Sequence, residues 1–316
     1  MAKVLLGARL PVAARQLLGA FDVIEPESAP FSDEELVARV GDCDALIALL
    51  TQQIGAPLFE RASRLRLVAN VAVGVDNIDL AAAAARGIAI SHTPDVLTEA
   101  TADFTFAQLL AAARRIPEGE ALVRSGQWPG WALDQLLGAE VQGATLGIVG
   151  MGRIGRAVAA RARGFAMKIV YASPRPMLAH IAWALDATHL PLLELLARAD
   201  FVSLHCPASP ATQHLIGAAE LAAMKPSALL INTARGTVVD ETALAQALRA
   251  GCIAGAALDV FEREPAISPE LFTAPHLLLT PHLGSATVAA RTRMAMIAAE
   301  SVVDLFAGGS VRHRVS

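Results

Sequence analysis

Short apolar runs alternate with helix-favouring segments over the first hundred residues of the chain. The apolar runs predict strands, which cover residues 3–7, 21–24, 45–50, 67–71 and 88–91. The segments between them predict helices over residues 12–19, 33–40, 57–63 and 80–85. Ser32, with Glu35 three residues later, forms a capping box at the start of the second helix. Such alternation is typical of βαβ units, so we expect a parallel sheet covered by helices.

The same alternation resumes after an interruption in the middle of the chain. A long helix is predicted from about Thr98 to Ile116, where Pro117 ends it, and an irregular polar stretch follows from Ser125 to Gly138. Further strands are predicted over residues 145–149, 168–171, 201–205, 228–232, 253–259 and 277–280. Further helices are predicted over residues 156–163, 190–198, 241–249 and 286–306. Both halves of the chain are therefore predicted to be α/β.

The composition indicates a folded protein with two domains. The chain has 316 residues, which corresponds to two domains at about 150 residues each. Hydrophobic residues make up 54% of the chain, which excludes a mainly disordered protein. No apolar stretch approaches the roughly 18 residues that a transmembrane helix needs. The apolar run from Val4 to Ala8 is too short for a secretory signal and ends at Arg9, so we expect the protein in the cytoplasm.

Charge and cysteine content exclude several kinds of partner and site. The chain has 26 Lys and Arg against 30 Asp and Glu, a formal net charge of −4, and no basic cluster. We therefore expect neither nucleic acid nor a membrane surface as a partner. Cys43, Cys206 and Cys252 are far apart and lack the spacing of metal ligands. We expect no disulfide framework and no metal site, and we interpret all three as small core residues.

A glycine motif stands between a predicted strand and a predicted helix. The strand over residues 145–149 runs directly into Gly150-Met151-Gly152-Arg153-Ile154-Gly155. In this context the first glycine permits a tight turn, the second admits the pyrophosphate and the third permits close helix packing. The phosphates then bind amide groups at the start of the helix. The motif predicts a dinucleotide site.

The end of the next strand bears on which dinucleotide binds. NAD-binding proteins usually carry an Asp or Glu there, which accepts a hydrogen bond from the ribose 2′-hydroxyl. This chain has Ser173 and Arg175 instead, and no carboxylate before Asp186. A hydroxyl and a guanidinium suit a 2′-phosphate, so NADP(H) is favoured over NAD(H).

Three groups suited to catalysis follow predicted strand ends, where ligands of open α/β sheets bind. These groups are Arg235, Glu264 and His282. Spacing alone does not show that they meet, since exposed Arg and Glu are usually solvated and a single His is more often structural.

Several segments, in order along the chain, resemble the D-isomer-specific 2-hydroxyacid dehydrogenase family. They are the glycine motif, Asn232-Thr233-Ala234-Arg235-Gly236, Leu258-Asp259-Val260-Phe261-Glu262-Arg263-Glu264-Pro265 and Thr280-Pro281-His282-Leu283-Gly284-Ser285-Ala286. Two upstream segments, residues 73–79 and 93–103, resemble its glyoxylate/hydroxypyruvate reductase branch.

The resemblance implies a catalytic triad and a substrate site for a small 2-keto acid. His282 would act as the general acid, Glu264 would pair with its other ring nitrogen, and Arg235 would hold the substrate carboxylate. Backbone amides at Val73 and Gly74 would hold the carboxylate as well. Leu50 and Thr51 would line the pocket.

The resemblance also implies cofactor contacts outside the glycine motif. Arg153 and Ile154 would lie at the pyrophosphate, Asp259 at the nicotinamide carboxamide, and Ser285 close to His282. The remaining contacts would come from turns near the phosphates and the adenosine, namely Thr101, Thr233, Ala234, Cys206 and Pro207.

The fold implied by the resemblance consists of two Rossmann/flavodoxin-like parallel-sheet domains with the active site in the cleft between them. Residues 1–97 and 287–316 would form the substrate-binding domain, and residues 98–286 the dinucleotide-binding domain. The stretch that holds Trp128 and Trp131 would help to pair two subunits, so we expect a homodimer.

Two other functions stay open at this point. The first is another activity of the same family, on D-lactate, D-3-phosphoglycerate or phosphite. Phosphite is disfavoured, because Val73 stands where the phosphite enzymes have a lysine. The second is a dinucleotide-sensing protein similar to the corepressors of this superfamily, which keep the same triad.

Overall fold

The computed structural model of the chain describes residues 1–315, and within that range the chain forms twelve strands and twelve α-helices. The strands are β1 (Lys3–Leu6), β2 (Asp22–Ile24), β3 (Ala45–Leu49), β4 (Leu67–Val71), β5 (Ala89–Ser91), β6 (Thr145–Val149), β7 (Lys168–Ala172), β8 (Ala187–His189), β9 (Phe201–Leu204), β10 (Leu229–Asn232), β11 (Gly255–Leu258) and β12 (Leu277–Leu279). The helices are α1 (Val12–Leu17), α2 (Asp33–Arg39), α3 (Ala56–Arg61), α4 (Leu80–Ala85), α5 (Thr98–Ala113), α6 (Ile116–Arg124), α7 (Arg153–Ala162), α8 (Ala179–Leu185), α9 (Leu192–Arg198), α10 (Ala218–Ala223), α11 (Glu241–Arg249) and α12 (Val288–Phe306).

The chain divides into two compact units. The first contains Met1–Leu97 together with the C-terminal segment that begins at Ala286, and the second contains Thr98–Ser285. The first unit holds a five-stranded sheet in the order β2-β1-β3-β4-β5, in which every pair is parallel. This is the flavodoxin-like strand order. Helix α12 packs against α1 and β4, which returns the end of the chain to this unit.

The second unit holds a seven-stranded sheet in the order β12-β11-β10-β9-β6-β7-β8. Every pair is again parallel. The strand order reverses between β6 and β9, and in such sheets ligands bind at the carboxyl ends of the strands beside this switch point. The predicted fold class, two parallel-sheet α/β domains, is confirmed.

Each sheet is covered on both faces, because alternate residues of a strand point to opposite sides. In β10, for example, Leu230 and Ile231 are fully buried in two different apolar clusters, one on each face. The predicted capping box of α2 is confirmed, since Ser32 Oγ accepts from Glu35 N and Glu35 Oε2 accepts from Ser32 N at 2.9 Å.

The long helix predicted up to Ile116 is wrong at its C-terminal end. Helix α5 stops at Ala113, and a separate helix α6 begins at Ile116 with Pro117 in its first turn. Between them Arg115 adopts the left-handed conformation, with φ 51° and ψ 37°. Proline lacks only an N–H that the first helical turn leaves unpaired in any case, so Pro117 begins a helix here instead of ending one.

Three short elements were not predicted. They are α8, α10 and the edge strand β8, which has seven, six and three residues. Strand β8 contains a single apolar residue, Ala187, and pairs only with β7. A strand at the sheet edge needs no apolar run, so the pattern gave no signal for it.

The interpretation of the cysteines as core residues is wrong for Cys252. Cys43 is buried, but Cys206 is only partly buried and Cys252 is exposed, in the turn that follows α11. All three are free thiols. Among residues 1–315, no group of three or more His, Cys, Asp or Glu side chains is placed to hold a metal ion. No helix in the same range is long and apolar enough to cross a membrane.

Gly236 allows two loops of the second unit to touch. A Cβ atom at this position would lie 1.8 Å from the carbonyl carbon of Phe261. We expect Gly236→Ala to lower the free energy of unfolding by about 3 kcal/mol, because backbone atoms on both sides must separate. Urea denaturation measures the change. Gly164→Ala is the control, since no atom lies within 4 Å of its added Cβ, and a similar loss there would contradict this explanation.

Candidate active site

The glycine motif forms a tight turn at the switch point of the seven-stranded sheet. Gly150 has φ 97°, and a Cβ on it would lie 2.6 Å from the backbone N of Cys206, in the loop after β9. A Cβ on Gly155 would lie 2.3 Å from the Gly150 carbonyl oxygen. By contrast, no protein atom lies within 4 Å of a Cβ on Gly152, the N-cap of α7. The start of α7 is therefore open to a phosphate group, as a dinucleotide requires.

The end of β7 contacts this turn through one side chain. Ser173 Oγ accepts a hydrogen bond from the Met151 backbone N at 3.0 Å. Arg175 is exposed two residues later, and the exposed prolines Pro174 and Pro176 flank it. The turn thus offers a hydroxyl and a guanidinium, but no carboxylate, to a bound ribose.

The loop after β9 is the other wall of the glycine turn. Cys206 is partly buried and Pro207 is exposed. Burial raises the pKa of the Cys206 thiol to about 11, so it carries no negative charge beside a bound phosphate. Burial also lowers the pKa of His205 to about 3, which keeps that ring neutral at physiological pH.

The turn after β10 is held by buried hydroxyl and amide groups. Asn232 Nδ2 donates to the Arg235 carbonyl at 2.9 Å, and Asn232 Oδ1 accepts from the Ala234 N–H at 3.0 Å. Thr233 Oγ1 lies 2.8 Å from Thr105 Oγ1, on helix α5. These bonds fix the backbone from which the Arg235 side chain leaves. Arg235 is partly buried, and its Nη1 donates to the Ala234 carbonyl at 2.8 Å.

Asp259, at the end of β11, organises the turn that carries His282. Its carboxylate accepts hydrogen bonds from the Thr280 hydroxyl at 2.6 Å and from the N–H groups of Leu283 and Gly284 at 2.8 Å. Its own carbonyl accepts from the His282 N–H at 2.9 Å. Burial raises the pKa of Asp259, although these hydrogen bonds act in the opposite direction.

One buried side chain behind this turn was not predicted. Gln108, on α5, donates from Nε2 to Thr280 Oγ1 at 2.6 Å. Because a carboxylate only accepts, the Thr280 hydroxyl must donate to Asp259 and accept from Gln108. Gln108 lies 172 residues from Thr280 in the chain, so no local sequence pattern could have linked them.

His282 and Glu264 form a direct pair. His282 Nδ1 lies 2.8 Å from Glu264 Oε2, and the other carboxylate oxygen of Glu264 accepts from the Phe261 N–H at 3.0 Å. Burial by itself would raise the pKa of Glu264, but the hydrogen bond and charge of His282, the Phe261 N–H and the charge of Arg235 together lower it. Glu264 is therefore ionised at neutral pH.

Other residues implied by the resemblance lie around this turn or at the start of α7. Thr101 is buried on α5, and its side chain would lie 3.4 Å from a Cβ on Gly284. Ser285 is partly buried next to Gly284, and Arg153 and Ile154 form the first turn of α7. Thus the second unit holds the whole implied triad and every implied cofactor contact.

The remaining implied residues lie in the first unit. Leu50 directly follows β3, and Val73 and Gly74 follow β4. These strands are neighbours, so both turns lie at the carboxyl edge of the five-stranded sheet. All three residues are partly buried.

Comparison with known proteins agrees with this arrangement. The family model described as "D-isomer specific 2-hydroxyacid dehydrogenase, NAD binding domain" matches residues 106–284. The chain is 46% identical over 315 residues to a protein named glyoxylate reductase from Thermococcus litoralis, covering 98% of this chain and 95% of that protein.

Solved structures give the same result. The TT0316 protein from Thermus thermophilus superposes with a TM-score of 0.93 at 44% identity, covering 99% of this chain and 100% of that one. An NADPH-dependent glyoxylate/hydroxypyruvate reductase from Sinorhizobium meliloti, in complex with NADP and malonate, has a TM-score of 0.87 at 32% identity, covering 100% and 97%. The chain belongs to the D-isomer-specific 2-hydroxyacid dehydrogenase family, and it is an NAD(P)-dependent oxidoreductase.

Proposed function

We propose that this protein reduces a short 2-keto acid of the glyoxylate or hydroxypyruvate type to the D-2-hydroxy acid, with NADPH as the preferred reductant. The His282–Glu264 pair, held next to the Arg235 turn in the second unit, carries the proposal. Relatives named glyoxylate reductase support the substrate class.

Each of these side chains has its own role in the reaction. Bound NADPH supplies a hydride to the keto carbon. Arg235 holds the substrate carboxylate and polarises the carbonyl, since its planar fork matches a carboxylate in geometry and charge. His282, as imidazolium, gives a proton from Nε2 to the carbonyl oxygen, which becomes the hydroxyl, and the ring is left neutral.

Glu264 fixes the ring of His282 through Nδ1 and favours its charged form. The amides of Val73 and Gly74 bind the substrate carboxylate as well, and Leu50 contacts the substrate side chain.

The same proposal assigns the cofactor contacts. Gly150, Gly152 and Gly155 let the dinucleotide approach the first turn of α7, and Arg153 and Ile154 bind its pyrophosphate. Asp259 accepts from the nicotinamide carboxamide, and Ser173 and Arg175 bind the 2′-phosphate. The other contacts come from Thr101, Thr233, Ala234, Cys206, Pro207 and Ser285.

A panel of keto acids assayed with NADPH and with NADH tests the activity. We expect turnover of glyoxylate and hydroxypyruvate, and a lower KM for NADPH than for NADH. Arg175→Ala should raise the KM for NADPH about tenfold or more, because a bidentate guanidinium–phosphate contact is lost, and should leave the KM for NADH unchanged.

The matched control is Arg198→Ala, which removes another exposed arginine of the same unit, one that pairs with Glu194. A lower KM for NADH in the wild type would overturn the cofactor preference. If D-lactate or D-3-phosphoglycerate were the best substrate of the reverse reaction, the protein would instead have another activity of the same family. The absence of any turnover would favour a dinucleotide sensor.

Glu264→Gln tests the proton transfer. The substitution keeps the size of the side chain but removes the charge that favours imidazolium. We therefore expect the reductive kcat/KM to fall at every pH, because His282 loses the charged partner of its Nδ1. In the wild type the activity should also fall as the pH drops below the lowered pKa of Glu264, and this acid-side decline should be absent in Glu264→Gln.

Glu262→Gln is the control for that profile. Glu262 accepts from the Glu241 N–H and lies two residues from Glu264, but it does not pair with His282. An unchanged pH profile in Glu264→Gln would contradict the role given to this carboxylate.

We further propose that two copies of the chain pair through α6 and the segment that follows it. Helix α6 has no buried residue. Trp131 and Leu133 are each 81% exposed, and Leu137 is 66% exposed. A cavity of about 720 Å³ lies beside them, lined partly by Pro117 and Leu137. Clustered apolar side chains of this size are rare on the surface of a monomer.

Light scattering coupled to size exclusion tests the pairing. We expect the wild type to have twice the mass of one chain, and Trp131→Asp combined with Leu133→Asp to weaken the dimer about thirtyfold or more, since buried aromatic anchors dominate such interfaces. Trp183→Asp is the control, because this exposed tryptophan lies on α8 instead. A monomeric wild type would overturn the proposal.

A further inference from the structure

Three buried carboxamides lie at the carboxyl edge of the five-stranded sheet in the first unit. Asn70 is in β4, Asn77 lies beyond the turn that follows β4, and Gln52 lies beyond the turn that follows β3. The proposed function gives none of them a role. A buried carboxamide is costly unless its donors and acceptors are matched, so each of their contacts has a structural effect.

Asn77 and Gln52 tie three strand-end turns together. Asn77 Nδ2 donates to the carbonyls of Leu49 at 3.1 Å and Gln52 at 3.0 Å. Gln52 Nε2 donates to the carbonyls of Gly7 and Phe31, both at 2.9 Å, and its Oε1 accepts from the Leu49 N–H at 2.9 Å. The turn beside Leu50 is therefore held from two sides.

Asn70 connects this network to the turn that follows β4. Its Nδ2 donates to Asn77 Oδ1 at 3.0 Å and to the Gly74 carbonyl at 2.9 Å. All six N–H protons of the three carboxamides thus have acceptors. An exchange of oxygen and nitrogen in any of them would place two acceptors face to face, so the orientation of each group is fixed.

The turn itself is held by its carbonyl groups. Three consecutive carbonyls accept hydrogen bonds: Ala72 from the Thr93 N–H at 2.8 Å, Val73 from His92 Nδ1 at 2.8 Å, and Gly74 from Asn70 Nδ2 at 2.9 Å. Since a carbonyl cannot donate, Nδ1 of His92 carries the proton.

The orientation of these carbonyls determines that of the amides. In a trans peptide the N–H points opposite to the C=O of the same peptide unit, and the cis bond of the chain lies elsewhere, before Pro265. The N–H groups of Val73, Gly74 and Val75 therefore point away from the donors that hold the carbonyls. Among residues 1–315 these three N–H groups have no acceptor. Consecutive N–H groups without a protein acceptor are available to bind an anion.

We propose that Asn70, Asn77 and His92 are positioning residues that hold this turn so that three amides, including that of Val75, bind the substrate carboxylate. The inference rests on the proposed function and extends its carboxylate site beyond Val73 and Gly74. None of the three side chains needs to touch the substrate, because each acts through a backbone carbonyl or through another carboxamide.

Neutral amides suit this role better than carboxylates. An aspartate at position 77 would lose both donors to the Leu49 and Gln52 carbonyls, and it would place a negative charge close to the anion site. Binding of the substrate carboxylate would then be weakened by misplaced amides and by repulsion. Asn77→Asp should therefore weaken substrate binding more than its small change in shape suggests.

Steady-state kinetics with glyoxylate and NADPH test the proposal. We expect His92→Ala to raise the KM for glyoxylate about tenfold, because the Val73 carbonyl loses the hydrogen bond that orders the turn. The kcat should stay within twofold of wild type, and the KM for NADPH should not change. His92→Asn should restore the wild-type KM, because its Nδ2 can donate from nearly the position of the imidazole Nδ1. Asn77→Asp should raise the KM for glyoxylate further, again without affecting the KM for NADPH.

The control is Asp44→Asn. Asp44 is a buried polar residue of the same sheet that accepts from the Lys3 N–H and from Arg64, and it has no contact with the carboxamides. The Asp44→Asn substitution should lower the melting temperature and leave the KM for glyoxylate unchanged. A KM for glyoxylate within twofold of wild type in both His92→Ala and Asn77→Asp, or an equal rise in the KM for NADPH, would overturn the proposal.

Calorimetric titration with malonate separates this proposal from the proposed function. If the wild type reduces no keto acid, the proposed function fails. Malonate binding that His92→Ala weakens and His92→Asn restores would still support the anion site. Malonate affinity that is the same in all three proteins would overturn it.

Discussion

The parallel alignment of the strands is the constraint on which both units depend. Consecutive parallel strands need a crossover connection, in most cases through a helix, and all carboxyl ends of a sheet lie at one edge. In the second unit this edge holds the glycine turn and the turns that begin at Ser173, His205, Thr233, Asp259 and Thr280. Residues more than a hundred positions apart in the chain therefore become neighbours without any long loop.

A second constraint is the cost of burying a polar group without a hydrogen bond, and it orders the turn that carries His282. Asp259 is buried at the end of β11, and its donors come from Thr280, Leu283 and Gly284, on either side of His282. The hydrogen bonds that this buried carboxylate accepts therefore also order the His282 turn. The three carboxamides of the first unit act in the same way on the Val73 turn. Each sheet thus uses buried polar residues to order the backbone at its carboxyl edge.

Strands and helices with a clear local sequence pattern were predicted correctly. Strand β4 and helices α4 and α11 were predicted to the residue, because each has a sharp hydrophobic pattern with polar or glycine boundaries. The glycine turn between β6 and α7 was also predicted from its local pattern, whereas the triad came from the family resemblance and its role stays a prediction. Short edge elements and contacts over long separations were not. Gln52 and Gly7 are 45 residues apart, and nothing near Gln52 indicates that its amide is buried against that carbonyl.

The proposed reaction requires a chain of net charge −4 to bind two anions, the cofactor and the substrate. Backbone N–H groups attract a phosphate or a carboxylate without a compensating side-chain charge, and the sheet edges supply them at the start of α7 and at the Val73 turn. The guanidinium of Arg235 adds a charge that does not titrate near neutrality. In the proposed reaction, anion binding is therefore largely independent of pH, and proton transfer is assigned to His282, beside a carboxylate whose lowered pKa keeps it ionised. Under this proposal His282 transfers the proton, while Arg235 and the backbone amides keep the substrate bound.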